Sequence, residues 1–477
     1  MNIVRYNGKE TAMKKKLISL LLCTALLFTA CSSGDTSSDS TSDVSSSASS
    51  VTGENNASSA ESSQEETSMV ETSVPETTTT TKEPVTTTTT KEPETTTTTK
   101  EPETTTTAKE PETTTEIATT VPVTEAPEPE PVIFPTALQT INNIKVGWNL
   151  GNTLESNGEW IGLYSEGKPE NYETAWGNPV TKPELIAAVK EAGFNAVRIP
   201  VTWHEHIDES GNIDSEWLAR VQQVVDYVIH QDMYCVINVH HDAGGGWIRA
   251  TPECYEKYHD KISALWRDIA VHFKDYGDKL MFEGFNEMLD ADGHWGGAGS
   301  PEEYKAHNDF NQLFVDVVRA TGGNNAQRNL MVQIYSGACG DGAFENFVLP
   351  TDSTEGHLII QVHNYDPQPF TWTSVDYTEP TDQWGSKREK EDIKKLFSKL
   401  SAFSQSHNVP VIVGECGADF KDNEATRKAY VEHFFSCASE YEIKCFWWDT
   451  GAMALFDRNT YSEKYPEIID IIMNACG

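Results

Sequence analysis

Between residues 132 and 477, short runs of consecutive apolar, often β-branched residues alternate with longer stretches in which apolar positions recur every three to four residues. The first kind predicts strands buried on both faces; the second predicts amphipathic helices. Eight strands are expected, near 145–149, 196–201, 234–240, 280–286, 330–335, 358–364, 409–414 and 443–448. The helical periodicity is clearest over 183–192, 217–229, 262–273, 302–319, 390–405 and 426–439, and poorest at the fifth place in the alternation. Strict strand–helix alternation implies parallel strands, and eight units imply an α/β fold closed as a (β/α)8 TIM barrel.

The pattern before residue 132 is different. Lys14, Lys15 and Lys16 precede an uncharged stretch from Leu17 to Ala30, too short to span a bilayer and laid out like an export signal ending at Cys31. Small residues before that cysteine resemble a lipobox, in which Cys31 would be cleaved free and acylated, and Met13 rather than Met1 begins a good signal. Residues 1–31 are therefore read as a signal segment. Residues 32–131 are Ser-rich, then Thr/Pro/Glu-rich, with Lys-Glu-Pro recurring every nine residues at Lys82, Lys91, Lys100 and Lys109. Such a composition cannot build a core, so this part is expected to be a disordered, extended and O-glycosylated linker.

Charge sharpens the division. The first 31 residues carry +4, the next hundred −16 and residues 132–477 the remaining −25 of the chain's −37. That balance argues against nucleic-acid binding and suits an enzyme acting on an uncharged polymer. Residues 132–477 hold seven cysteines, an odd number, with neither CxxC nor Cys/His zinc spacing.

In a barrel the chemistry gathers at the strand C-termini. The strand-end candidates are Arg198, His240 with His241, Asn286 with Glu287, His363 with Tyr365, Glu415, and Trp447 with Trp448. Two glutamates, Glu287 and Glu415, each close an apolar run, and paired carboxyl groups at strand ends are the chemical minimum for cleaving a glycosidic bond. Retention of configuration requires them about 5 Å apart. One of the pair, as acid, should sit poorly solvated and protonated, and the other should stay ionised beside cationic or hydrogen-bonding neighbours. A rival reading, metal hydrolysis, would use the histidines together with His204 and His206, but zinc barrels usually begin with His-x-His on the first strand, and His204-Glu205-His206 follows the second.

The ordered motifs Gly147-Trp148-Asn149-Leu150-Gly151-Asn152-Thr153-Leu154, Glu173-Thr174-Ala175-Trp176-Gly177-Asn178-Pro179, Val197-Arg198-Ile199-Pro200-Val201, Asn238-Val239-His240-His241-Asp242, Phe285-Asn286-Glu287, Val362-His363-Asn364-Tyr365 and Gly414-Glu415 resemble glycoside hydrolase family 5, subfamily 4. The resemblance spans about 144–448 and implies a cofactor-free, metal-free hydrolase of β-1,4-glucans acting with retention, Glu287 being the acid/base and Glu415 the nucleophile. It also implies a protonated Glu287, an ionised Glu415 beside Arg198 and Tyr365, His240 in the substrate-binding shell and His363 orienting a carboxylate or a sugar hydroxyl. The subfamily enlists His241 too, for which a packing role is the alternative because adjacent strand residues face opposite ways.

Sugar rings present flat C–H faces, so aromatic platforms are expected beside the carboxylates. Trp176 and Trp448 lie in matched motifs; Trp148, Trp247, Trp295, Trp372 and Trp384 are further candidates. Asn149 and Asn152 are expected to donate to sugar hydroxyls, with turn formation beside Gly151 as the alternative. The whole reads as a monomeric, secreted or lipid-anchored endo-β-1,4-glucanase on a stalk, its partner a β-glucan, with membrane attachment only through lipidated Cys31. Xyloglucanase or mixed-linkage glucanase is the enzymatic alternative, and a surface carbohydrate-binding protein the non-enzymatic one.

Overall fold

The computed structural model describes residues 133–296, 298–373 and 379–477. The expected signal segment, Cys31 and linker lie outside the described residues. Eight strands, β1 (Gly147–Leu150), β2 (Ala196–Ile199), β3 (Tyr234–Asn238), β4 (Leu280–Glu283), β5 (Leu330–Gln333), β6 (Leu358–His363), β7 (Val411–Cys416) and β8 (Lys444–Asp449), form a closed barrel in sequence order. Every neighbouring pair is parallel, including β1 with β8.

The helices that follow the strands are α1 (Pro183–Glu191), α2 (Ser215–His230), α3 (Pro252–His272), α4 (Pro301–Ala320), α5 (Asp341–Glu345), α6 (Lys387–His407), α7 (Glu424–Glu440) and α8 (Pro466–Cys476). The longer ones bury a stripe at helical spacing, as in α2, where Trp217, Val221, Val224, Val225 and Val228 face the sheet. Helix α3 starts ten residues earlier than its apolar period suggests: Thr251 caps it, Pro252 occupies its first turn, and its opening turns are polar. The fifth helix is faint in the sequence because it is five residues long and buries only Ala343 and Phe344.

Alternation along the strands divides the barrel interior into two storeys. The lower one is apolar: Ala196, Val236, Met281, Met331, Ile359, Ile412 and Phe446 meet there, closed from below by Ala137, Ile141 and Ile144 of the N-terminal helix Ala137–Asn143 and its end. Gly147 belongs to this storey, and a Cβ there would lie 2.0 Å from the Phe446 ring. Two residues further up the strands the inward positions turn polar: Asn149, Arg198, Asn238, Glu283, Gln333 and Gln361, with Trp448 beside them, all buried. The opposite faces of the strands, such as Val197, Ile237, Phe282, Val332 and Val413, pack under the helices in the main hydrophobic core.

Candidate active site

Arg198 anchors the polar storey. Burial opposes its charge, but Glu283 and Glu415 on either side more than offset this and hold its proton firmly. Its Nε and Nη2 donate to Glu283 at 2.6 and 2.7 Å, Nη1 donates to Glu415 Oε1 at 2.6 Å and to Asn149 Oδ1 at 3.0 Å, and Nη2 also reaches Asn286 Oδ1 at 3.0 Å. All five guanidinium N–H groups are thereby used.

Glu415 reaches this position through an irregularity. Ile412 points inward and Val413 outward, so simple alternation would send Gly414 inward and Glu415 out among the helices. The pairing of β6 with β7 slips between Val362 and His363, and His363 pairs with Glu415 rather than with Gly414. The bulge turns the carboxylate to the mouth, and Gly414 permits it because a Cβ there would meet the Gln361 amide at 2.4 Å. The second Glu415 oxygen accepts from the Tyr365 hydroxyl at 2.9 Å.

Glu287 follows the end of β4, its side chain 22% exposed, and its Oε1 lies 2.7 Å from His363 Nδ1. One oxygen from each of Glu287 and Glu415 and one His363 nitrogen all lie within 4.8 Å of one another. That spacing matches a retaining carboxyl pair and is shorter than the roughly 6.5–9.5 Å of an inverting one. The ionisation expected of Glu287 needs correction. Burial pushes its pKa up, but the hydrogen bond and charge of His363, with the charges of Arg198 and His241, outweigh burial and leave it below the ordinary carboxylate value. Burial pulls His363 down, while the Glu415 charge and the bond to Glu287 more than reverse this. Glu287 and His363, joined by this hydrogen bond, therefore titrate as a pair that holds the proton an acid needs.

Gln333 and Gln361 sit at the far nitrogen of His363, at 3.4 and 3.1 Å, and the Oε1 of each is buried without a hydrogen bond. Rotating either amide sets that oxygen against an Nε2–H, so a doubly protonated His363 has an acceptor at hand.

His240 is buried and stacks on Trp448, ring centroids 5.8 Å apart. Burial, then His241, Arg198 and His363, keep it neutral, well below the usual histidine value. Asn238 donates to its Nδ1 at 3.0 Å, which assigns the proton to Nε2 and leaves a donor for a ligand. His241 is half-buried, donates from Nδ1 to Gly244 O at 2.8 Å, and packs against Trp176 at 5.4 Å between centroids. An open cleft of about 830 Å³ runs from Glu287 and His363 past Tyr365 to Trp295 and Trp372.

Several expectations are corrected by these positions. Asn149 is fully buried: its amide donates to Gly414 O and Trp447 O and accepts from Arg198, so it braces the cluster and meets no sugar. Asn152 takes the turn role, with φ 53°, its N–H bonded to Glu155 and its carbonyl to Asn178. Trp447 faces outward under the helices, bonding Met453 O, because adjacent strand residues face opposite ways. Trp148 lies in the core beneath Arg458, Trp384 packs on Phe370 and Tyr430, and Trp247 bonds Asp242. His206 stacks on Trp217 and His204 lies 3.6 Å from Asp242, uses that belong to packing. Among the described residues the one group of three or more potential metal donors is Glu287, His363 and Glu415, and Arg198 already supplies the cation there. Glu283, Gln333 and Gln361 are not among the candidates named from the sequence, and Asn238 stands there only inside a motif; their signal is a polar residue inside an apolar strand run at the same inward phase as Arg198.

A parallel barrel whose mouth opposes two carboxyl groups at this spacing has the architecture of a retaining glycoside hydrolase. Residues 154–454 match the cellulase family, glycosyl hydrolase family 5, and the chain belongs to that family, whose members act with retention. It is 36% identical over 353 residues to the cellulase/esterase CelE of Acetivibrio thermocellus, covering 72% of this chain and 40% of that protein. Among solved structures it is similar to a GH5-4 broad specificity endoglucanase from Ruminococcus champanellensis with bound cellotriose, with TM-score 0.66 and 36% identity over 71% of this chain and 98% of that one. It is also similar to a point mutant of PbGH5A from Prevotella bryantii in complex with a xyloglucan tetradecasaccharide, with TM-score 0.65 and 35% identity over 72% of this chain and 99% of that one.

Proposed function

We propose that the protein is a retaining endo-β-1,4-glucanase in which Glu415 is the nucleophile and Glu287 the acid/base. The observation that carries this reading is the pair of carboxyl groups within 4.8 Å, one gripped by Arg198 and Tyr365 and the other sharing a proton with His363. Glu415 attacks the anomeric carbon as Glu287 passes the shared proton to the departing oxygen; Glu287, now a carboxylate, then draws a proton from the water that hydrolyses the ester. Trp295 and Trp372, which line the cleft, offer the flat contacts that a glucan chain needs, and in this reading the Nε2–H of His240 and the faces of Trp448 and Trp176 add to them.

Two variants test it on carboxymethyl cellulose. Glu287→Gln is expected to lose roughly 10²–10⁴ in kcat. Glu415→Ala is expected to lose activity altogether, with azide restoring turnover and giving the inverted glycosyl azide. Either variant keeping most of its activity refutes the assignment. Xyloglucan is a second substrate to assay, favoured by the open cleft and by the xyloglucan bound in the Prevotella bryantii neighbour. Residues 1–131 support export, with lipid attachment at Cys31 and a glycosylated stalk; mass spectrometry of the mature N-terminus tests for the lipid.

A further inference from the structure

Arg198 faces two carboxylates, and only one of them belongs to the reaction proposed above. Glu283 is completely buried, its oxygens taken by Arg198 Nε and Nη2 and by Asn238 Nδ2 at 2.9 Å. It does not line the cleft, yet it holds the guanidinium through two bonds where Glu415 holds it through one.

We infer that Glu283 is a positioning residue that keeps Arg198 electrically matched while Glu415 is esterified, and so sets the balance between formation and breakdown of the glycosyl-enzyme. The inference rests on Glu415 being the nucleophile. In the free enzyme, Arg198 faces two negative charges. When a Glu415 oxygen bonds to the anomeric carbon, the bond to the leaving oxygen breaks, its electron pair departs with that oxygen, and the proton from the Glu287–His363 pair follows. Glu415 is then a neutral ester, and its negative charge no longer opposes Arg198. The guanidinium is 1% exposed, so water cannot take over that role. Glu283 does.

The sign of the effect follows. Without the Glu283 charge, Arg198 acts undivided on Glu415, stabilising its carboxylate before attack and again as it leaves the sugar. Ester formation is slowed, whereas ester breakdown, which regenerates that carboxylate, is not. His240, His241, His363, Tyr365 and Glu287 are the other ionisable groups around the cluster, and none of them bonds Arg198.

The test uses a 2-deoxy-2-fluoro-β-cellobioside with a dinitrophenyl leaving group, whose inactivation rate reports ester formation and whose reactivation rate reports breakdown. Glu283→Gln is expected to slow inactivation by about tenfold or more while leaving reactivation equal to or faster than that of the wild type. Equal slowing of both steps, or no change in either, overturns the inference, because a brace that merely holds Arg198 in place affects both alike. Glu283→Asp keeps the charge and should leave the ratio of the two rates as in the wild type. Should Glu283→Gln fail to fold, Glu283→Asn is read in the same way: slowed inactivation with reactivation not slowed supports the inference, and equal slowing of both overturns it. Labelling of the wild type anywhere other than Glu415, read from peptide masses, refutes the reaction itself rather than the role of Glu283.

Discussion

Tyr365 and His363 each touch one of the two carboxyl groups, and replacing them has distinct effects. Tyr365→Phe removes one donor from Glu415 and leaves the ring beside Trp372, 4.8 Å between centroids. A hydrogen bond to a charged group is worth about 1.5–3 kcal/mol, so kcat should fall roughly ten- to a hundredfold with little change in folding stability, measured by steady-state kinetics alongside thermal melts. His363 is raised in part by its bond to Glu287. In Glu287→Gln that partner loses its charge, and an NMR titration of the His363 ring should show it giving up its proton at a lower pH than in the wild type. A pH at or above the wild-type one would remove Glu287 from the account of the shared proton. His307, on α4, behaves oppositely. Burial alone pushes it down to about 3 from 6.5, and its Nε2 makes no hydrogen bond. The unfolded chain then binds a proton that the folded one refuses, so stability is intact above pH 6.5 and drains away as the pH falls toward 3, by about 1.4 kcal/mol per unit. In urea unfolding at pH 7 and pH 5, His307→Gln should lose less stability between the two than the wild type, by roughly 2 kcal/mol.

At the scale of elements, the strands were legible because parallel strands buried on both faces read as unbroken apolar runs, and each of the eight expected runs contains or overlaps its strand. Their ends were less so: the fourth run extends to residue 286, but β4 stops at Glu283, beyond which Gly284 and Asn286 keep single bonds to Met331 O and Val239 O. The bulge in β7 was not legible at all. Period-two reading puts Glu415 on the wrong face, and only the pairing of β6 with β7 reverses it. The burial of Asn149 was hidden for a related reason, since its partners Gly414, Trp447 and Arg198 come from three other strands. Gly147 offers a test of the lower storey. Gly147→Ala drives a methyl into the Phe446 ring, and overpacking of this kind costs about 1–3 kcal/mol, read as a lowered midpoint in urea with an unchanged m-value.

Across the molecule, the described residues carry both the barrel and the cluster at its mouth. A chain beginning at residue 132 should therefore match the full-length protein in kcat/KM on soluble glucan. A drop of tenfold or more would assign the preceding segment a part in catalysis. The seven cysteines in the described part are all free thiols, five of them buried, so reducing agent should leave its melting temperature unchanged.

The division of the barrel interior into an oily lower tier and a hydrogen-bonded upper one has an evolutionary corollary. Methionines and isoleucines in the lower tier can be exchanged for other aliphatics of equal volume without disturbing a reacting atom, so robustness to heat can drift there almost independently of turnover. The upper tier has no such latitude: its arginine, asparagine and glutamate satisfy one another, and a single substitution strands a neighbour. Variants selected for endurance should thus accumulate their changes beneath the arginine, and those selected for a new sugar should accumulate theirs in the loops above it.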